Sequence, residues 1–140
     1  MHVNVSWAGN VHFKAENSMG HEVLMDGPEE AGGENLGSRP MELILMGLGG
    51  CTAYDVVDIL KKSRQPLVDL KVSLQGARAE TIPAVFEQIK IHFTVVGAQV
   101  DPAKVQRAID LTAEKYCSAS IMLEKGGVEI SHSFEIVPEA

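Results

Sequence analysis

Hydrophobic and polar positions alternate at the start of the chain. Val3, Val5 and Trp7 share one face and His2, Asn4 and Ser6 the other, Gly9-Asn10 supplies turn chemistry, and Val11, Phe13 and Ala15 resume the period of two. This pattern predicts a hairpin. A third short strand is expected near residues 21–26 after the Ser18-Met19-Gly20 turn, and the aperiodic segment from Pro28 to Pro40, rich in Gly and Glu, reads as a loop. From Met41 to about Lys62 the pattern becomes helical, with Leu43, Ile44, Leu45, Met46, Leu48, Cys51, Val56, Val57, Ile59 and Leu60 covering most of the circumference. Such a helix is expected to be buried on nearly all sides. About 22 residues at 1.5 Å each give a rod of roughly 33 Å, long for one small globule and therefore expected to run through its middle. Gly47, Gly49 and Gly50 each disfavour that helix by about 1 kcal/mol relative to Ala. Their expected use is close approach of another backbone or a substrate beside Cys51.

Two longer alternating strands follow, Val68–Leu74 and Ile89–Val95, joined through Gly76 to Pro83. Asp101-Pro102 reads as an N-cap and first-turn proline, opening a one-sided helix to about Tyr116 through Val105, Ala108, Ile109 and Thr112. Ser118 is the expected cap of a short helix through Ile121 and Leu123, ended by Gly126-Gly127. Val128, Ile130, Phe134 and Ile136 make a last strand with His132 in register. Three strands, a long helix, two strands, two helices and a strand give neither regular β-α alternation nor all-β spacing, so the class is α+β, in a single domain over residues 1–140.

Composition fits that reading. Hydrophobic residues are 45% and aromatics only 5%, so the core should be aliphatic, with Trp7, Phe13, Phe86 and Phe93 as large anchors. A net charge of −7, and no basic run beyond Lys61-Lys62 with Arg64, exclude a phosphate-backbone footprint and make nucleic acid an unexpected partner. The N-terminus lacks the basic and apolar regions of an export signal. The longest apolar stretch carries Glu42, Asp55 and Asp58, so the chain reads as cytoplasmic and not membrane-bound.

Cys51 and Cys117 are then thiols to be explained. The 65 residues between them exclude a Cys-x-x-Cys motif, and a zinc site would need two further ligands from the scattered His2, His12, His21, His92 and His132. Each cysteine alone can be read as a small buried hydrophobe. Cys117 lies at a helix junction, where unpaired N–H groups are expected to lower its pKa. Together the two meet the needs of a peroxidatic and a resolving thiol, in which a sulfenic acid on one is condensed to a disulfide by the other. That requires Cα atoms within about 7 Å.

Glu42 sits nine residues before Cys51, on the opposite helix face and roughly 13 Å away along the axis. It can serve the site only across a dimer interface, with an arginine; a first-turn carboxylate is also favoured by the helix dipole alone. Arg39, at the helix entrance, is the arginine best placed for such a role. Asp55 and Asp58 can share a helix face, with solvated or capping roles expected.

Arg39-Pro40-Met41-Glu42-Leu43-Ile44 leading to Gly49-Gly50-Cys51-Thr52, and Glu114-Lys115-Tyr116-Cys117-Ser118-Ala119-Ser120, resemble the two cysteine motifs of the OsmC/Ohr family, particularly its YhfA-like branch. The element order agrees along nearly the whole chain. The resemblance implies an intertwined homodimer with antiparallel sheets packed around a long central buried helix and active sites at the subunit interface. It further implies reduction of organic hydroperoxides in oxidative or osmotic stress defence, through a peroxidatic Cys51 and a resolving Cys117. Glu42 and Arg39 are the candidates for the family's thiolate-stabilising pair. A dithiol such as dihydrolipoamide is the implied reductant, and neither a metal nor a bound organic cofactor is implied. Two departures stand out: Met41 occupies the position after the proline where peroxidase branches carry the acid, and residues 1–38 contain no arginine. The same fold without peroxidase chemistry, as a dimeric small-molecule or thiol-binding protein, is therefore the alternative. Transfer of a sulfur or acyl group through Cys51 is a third possibility.

A helix apolar nearly all round exceeds what one sheet of a 140-residue chain can cover, so a second copy is expected to cover its other side. Gel filtration with light scattering should give twice the 15.1 kDa chain mass. A folded monomer at micromolar concentration would refute the expectation.

Overall fold

The structure, a computed structural model, describes residues 1–139. They group into two compact units, Met1–Met46 and Gly47 onward. In the first unit β1 (Val3–Trp7), β2 (His12–Asn17) and β3 (Glu22–Asp26) form an antiparallel meander in that order. Gly9 and Asn10, at φ +101° and +45°, make the predicted turn, closed by the His12 N–H donating to the Gly9 carbonyl at 2.9 Å. Left-handed backbone there is what Gly and Asn tolerate best.

The segment read as a loop is ordered by a buried carboxylate. Asp26, at the end of β3, accepts backbone N–H bonds from Gly27 at 2.8 Å, Glu34 at 2.9 Å and Leu36 at 3.1 Å. A single 3-10 turn, Glu29–Ala31, lies between. The N–H of Glu34 does most to hold the Asp26 carboxyl below its usual range, against the opposing effect of burial, with the Leu36 and Gly27 N–H groups and His12 assisting.

Helix α1 (Pro40–Lys62) begins with proline at its first position, where the missing N–H costs nothing. Its 23 residues give about 35 Å at the usual rise. Leu48, Thr52, Val56 and Leu60, four apart, are buried together with Gly49. The single chain thus buries one stripe of this helix. Ile44 and Met46 are exposed, and Tyr54 is 75% exposed. Length and composition alone would also let α1 cross a membrane, a test that the core helix of a soluble protein passes equally.

In the second unit β4 (Asp69–Arg78), β5 (Phe86–Val96) and β6 (Glu129–Val137) form a sheet with β5 in the centre. Both β4 and β5 run longer than their alternation suggests, because pairing continues past Gly76 to an irregularity at Ala77/Arg78. Ile89, Ile91, Phe93 and Val95 point to the buried face. Phe93 stacks on His132 of β6, centroids 6.4 Å apart, and burial pushes the His132 pKa down. The expectation of antiparallel sheets holds for β4–β5 but fails for β5–β6, which is parallel. A short loop joins the first pair. The second is joined by a helical crossover, as a parallel pair requires.

That crossover begins with α2 (Pro102–Leu111), capped by Asp101, whose side chain accepts from the Ala103 N–H at 2.9 Å. Its last part is not the continuous α-helix expected to Tyr116. Thr112–Tyr116 form a π turn, with the Cys117 N–H donating to the Thr112 carbonyl at 2.8 Å. Helix α3 (Ser118–Lys125) follows, and its cap is Cys117, not the expected Ser118.

Folding lowers the Asp26 pKa, so its contribution is present above the unfolded carboxyl's value of about 3.9 and fades as pH falls through the lower folded value. Asp26→Asn should speed amide exchange at Glu34 and Leu36 by about tenfold near neutral pH, leaving β4–β5 amides unchanged. Acid should shrink the difference from wild type. Equal protection in both proteins at neutral pH would remove Asp26 from this role.

Candidate active site

Cys51 and Asp55, one helical turn apart, belong to the half-buried row of α1 that borders its buried stripe. Cys117 comes from the junction of the π turn and α3 and is fully buried. The two sulfurs and a carboxylate oxygen of Asp55 all lie within 4.8 Å of one another. Both cysteines are free thiols. A disulfide between them would bring the sulfurs to roughly 2 Å.

The glycines before Cys51 divide in use. A Cβ on Gly49 would come within 2.8 Å of Leu74 Cδ1, so this glycine lets α1 and β4 approach closely. Gly47 and Gly50 meet nothing within 4 Å and leave the helix surface beside Cys51 open.

Cys117 caps α3 through its sulfur, which accepts from the Ser120 N–H at 3.4 Å. The junction was expected to lower its pKa, yet the thiol is pushed up to about 11, chiefly by burial. The Ser120 N–H opposes the rise. Hydrogen bonding with Cys51, then the charges of Cys51 and Asp55, add to it. Desolvation of the thiolate outweighs one weak sulfur hydrogen bond, so Cys117 is a protonated thiol at neutral pH. Asp55 is also raised, first by burial and then by the charge of Asp58. Asp58 itself is held by Lys62 at 2.9 Å. The two carboxylates, expected in solvated or capping roles, are divided, one turned to the sulfurs and the other to a lysine. The signal for the first was the spacing of four between Cys51 and Asp55.

Arg39 and Glu42 lie at the start of α1 in the first unit. A Glu42 carboxylate oxygen accepts from the Arg39 backbone N–H at 2.8 Å, the reach-back of a helix-capping carboxylate. With Asn35, Leu36, Gly37 and Ser38 the two line one shallow hollow. No ion pair holds the Arg39 guanidinium among the described residues. Of the histidines, His92 bonds Ser133 at 2.8 Å and Glu135 at 3.2 Å on the polar face of the sheet. Among the described residues, no other three His, Cys, Asp or Glu side chains bring their donor atoms as close together as Cys51, Asp55 and Cys117 do.

A buried and a half-buried thiol brought together by a long helix and a helix junction, on an α+β frame of two three-stranded sheets, define a class of small two-cysteine proteins. The family profile described as OsmC-like protein matches residues 32–133, and the chain belongs to that family. It is 47% identical over 140 residues to Protein YhfA of Escherichia coli K12, covering 98% of each chain. A crystal structure of a hypothetical protein from Aquifex aeolicus VF5 superposes with a TM-score of 0.85 at 34% identity, over 99% of this chain and 97% of that one. An organic hydroperoxide resistance protein OsmC from Legionella pneumophila shares the fold, with a TM-score of 0.73 at 17% identity over 95% and 94% of the two chains.

Cys51 should alkylate with iodoacetamide well before Cys117 at about pH 8, since a thiol with its pKa near 11 carries little thiolate there. Peptide mass spectrometry over time reads the order. Modification of Cys117 first would contradict its burial.

Proposed function

We propose that this protein reduces organic hydroperoxides through Cys51 and Cys117, as a cytoplasmic homodimer serving oxidative or osmotic stress defence. The observation that carries the reading is the approach of the two sulfurs to within 4.8 Å, with one half-buried and the other buried. In this reading the Cys51 thiolate attacks the outer peroxide oxygen, the alkoxide departs and is protonated to an alcohol, and Cys51 becomes a sulfenic acid. Cys117 then condenses with it, releasing water and leaving a disulfide, which an external dithiol reduces. Membership of the family and its hydroperoxide-resistance relatives support the chemistry. The exposed Ile44, Met46 and Tyr54 of α1 support the dimer. Arg39, at the entrance of α1 with Glu42 beside it, is the arginine we assign to a neighbouring subunit's site in that dimer.

A second reading, a thiol- or small-molecule-binding protein of the same fold, is favoured by the lack of any arginine in residues 1–38 and by a carboxylate, not a cation, beside the sulfurs.

One equivalent of cumene hydroperoxide should consume both thiols of the reduced protein within seconds, with loss of two hydrogens in intact mass, and act faster than hydrogen peroxide. Cys51→Ser should abolish the reaction while retaining the fold. Cys117→Ser should stop at a sulfenic acid that dimedone traps. Thiols that persist for many minutes in the wild-type protein would select the binding reading.

A further inference from the structure

Closure of a Cys51–Cys117 disulfide needs a group that first takes the proton from the Cys117 thiol. Cys117 is buried and holds its proton, and a neutral thiol is a poor nucleophile. The groups facing its sulfur are the Ser120 N–H, which donates and cannot accept, the Cys51 side chain and the Asp55 carboxylate. Asp55 is neither ion-paired nor hydrogen-bonded to another side chain among the described residues, since Lys62 is engaged by Asp58 on the same helix. Its position does not suit it to stabilise a Cys51 thiolate, because two negative charges this close oppose each other. A sulfenic acid at Cys51 is neutral and removes that conflict.

We propose that Asp55 is the general base that takes the Cys117 proton as the disulfide forms. The proposal rests on the Cys51–Cys117 bond of the preceding section and adds a catalytic residue to it. In the step, the Cys117 S–H bond breaks and its proton passes to the Asp55 carboxylate, directly or through one water. The Cys117 sulfur pair forms the S–S bond to Cys51 as the Cys51 S–O bond breaks. The departing hydroxide takes the proton from Asp55 and leaves as water. Cys117 sulfur is oxidised, the sulfenic sulfur is reduced, and Asp55 ends ionised, as it began. Burial, which raises the pKa of this carboxyl, makes it the stronger base.

Dithiodipyridine separates this role from the peroxide chemistry. Cys51 displaces one thiopyridone in a first phase, and Cys117 displaces the second from Cys51 as the disulfide closes. Asp55→Asn should make the first phase no slower, since it removes a charge that opposes the Cys51 thiolate, and slow the second at least about tenfold near pH 7. The slowed phase should recover by about tenfold per pH unit as hydroxide replaces the lost base. Asp55→Glu, which retains a carboxylate, should restore most of the rate. An unchanged second phase in Asp55→Asn, equal slowing of both phases, or an Asp55→Glu as slow as Asp55→Asn would each overturn the assignment. So would a wild-type protein with no second phase. A wild-type protein that closes the disulfide with dithiodipyridine yet ignores cumene hydroperoxide would sink the peroxidase reading and leave Asp55 in place.

Discussion

The period-four burial of α1 is the constraint on which the site depends. Leu48, Thr52, Val56 and Leu60 go inward because their side chains stack along one line of the helix surface. The adjoining line, one residue back, is then fixed at the border of the core. Cys51 and Asp55 sit on that border and are half-buried as a consequence. A half-buried position suits a thiol that must meet both a solvent-borne reagent and a buried partner. A shift of α1 by one residue would bury Cys51 or turn it outward, so the chemistry inherits its geometry from the packing of aliphatic side chains.

The second sulfur is placed by different means. An α-helix continued to Tyr116 would point residue 117 according to helical spacing. Widening the last turn to a π turn instead brings the Cys117 N–H onto the Thr112 carbonyl and ends the helix abruptly. The chain then starts α3 in the next residue, leaving the Cys117 sulfur inside the core and facing α1. Two long-range neighbours are thereby set by one regular element and one irregularity.

Much of this was legible in the residues and some was not. Alternation and turn chemistry give β1, β2 and the Gly9-Asn10 turn, because sheet faces impose a period of two and left-handed backbone restricts residue choice. The long helix and the Asp101 cap follow from equally local rules. The two cysteine motifs point to the family. Local rules do not reach the parallel pairing of β5 with β6, which depends on how the crossover packs, or the π turn, whose residues Thr112–Tyr116 are ordinary helix formers in sequence. The high pKa of Cys117 escapes the sequence for a related reason. Sequence displays the N–H groups at a helix start but not the burial that outweighs them. Asp55 was visible at the right spacing from Cys51, yet its relevance required knowing that Cys117 arrives from elsewhere.

The cap of α3 carries a consequence for how this molecule balances stability against use. Oxygen-bearing side chains, serine among the best of them, are the favoured N-caps, and a poor cap costs about 1 kcal/mol. At Cys117 a sulfur occupies that place, at the 3.4 Å reach of a weak acceptor. Serine would have been the better choice for the helix and would have met the same Ser120 N–H. The fold therefore forgoes some helix stability at the one residue where it needs a thiol. A Cys117→Ser protein is correspondingly a control for chemistry and not for folding, since the substitution that removes the sulfur also gives the helix a stronger cap.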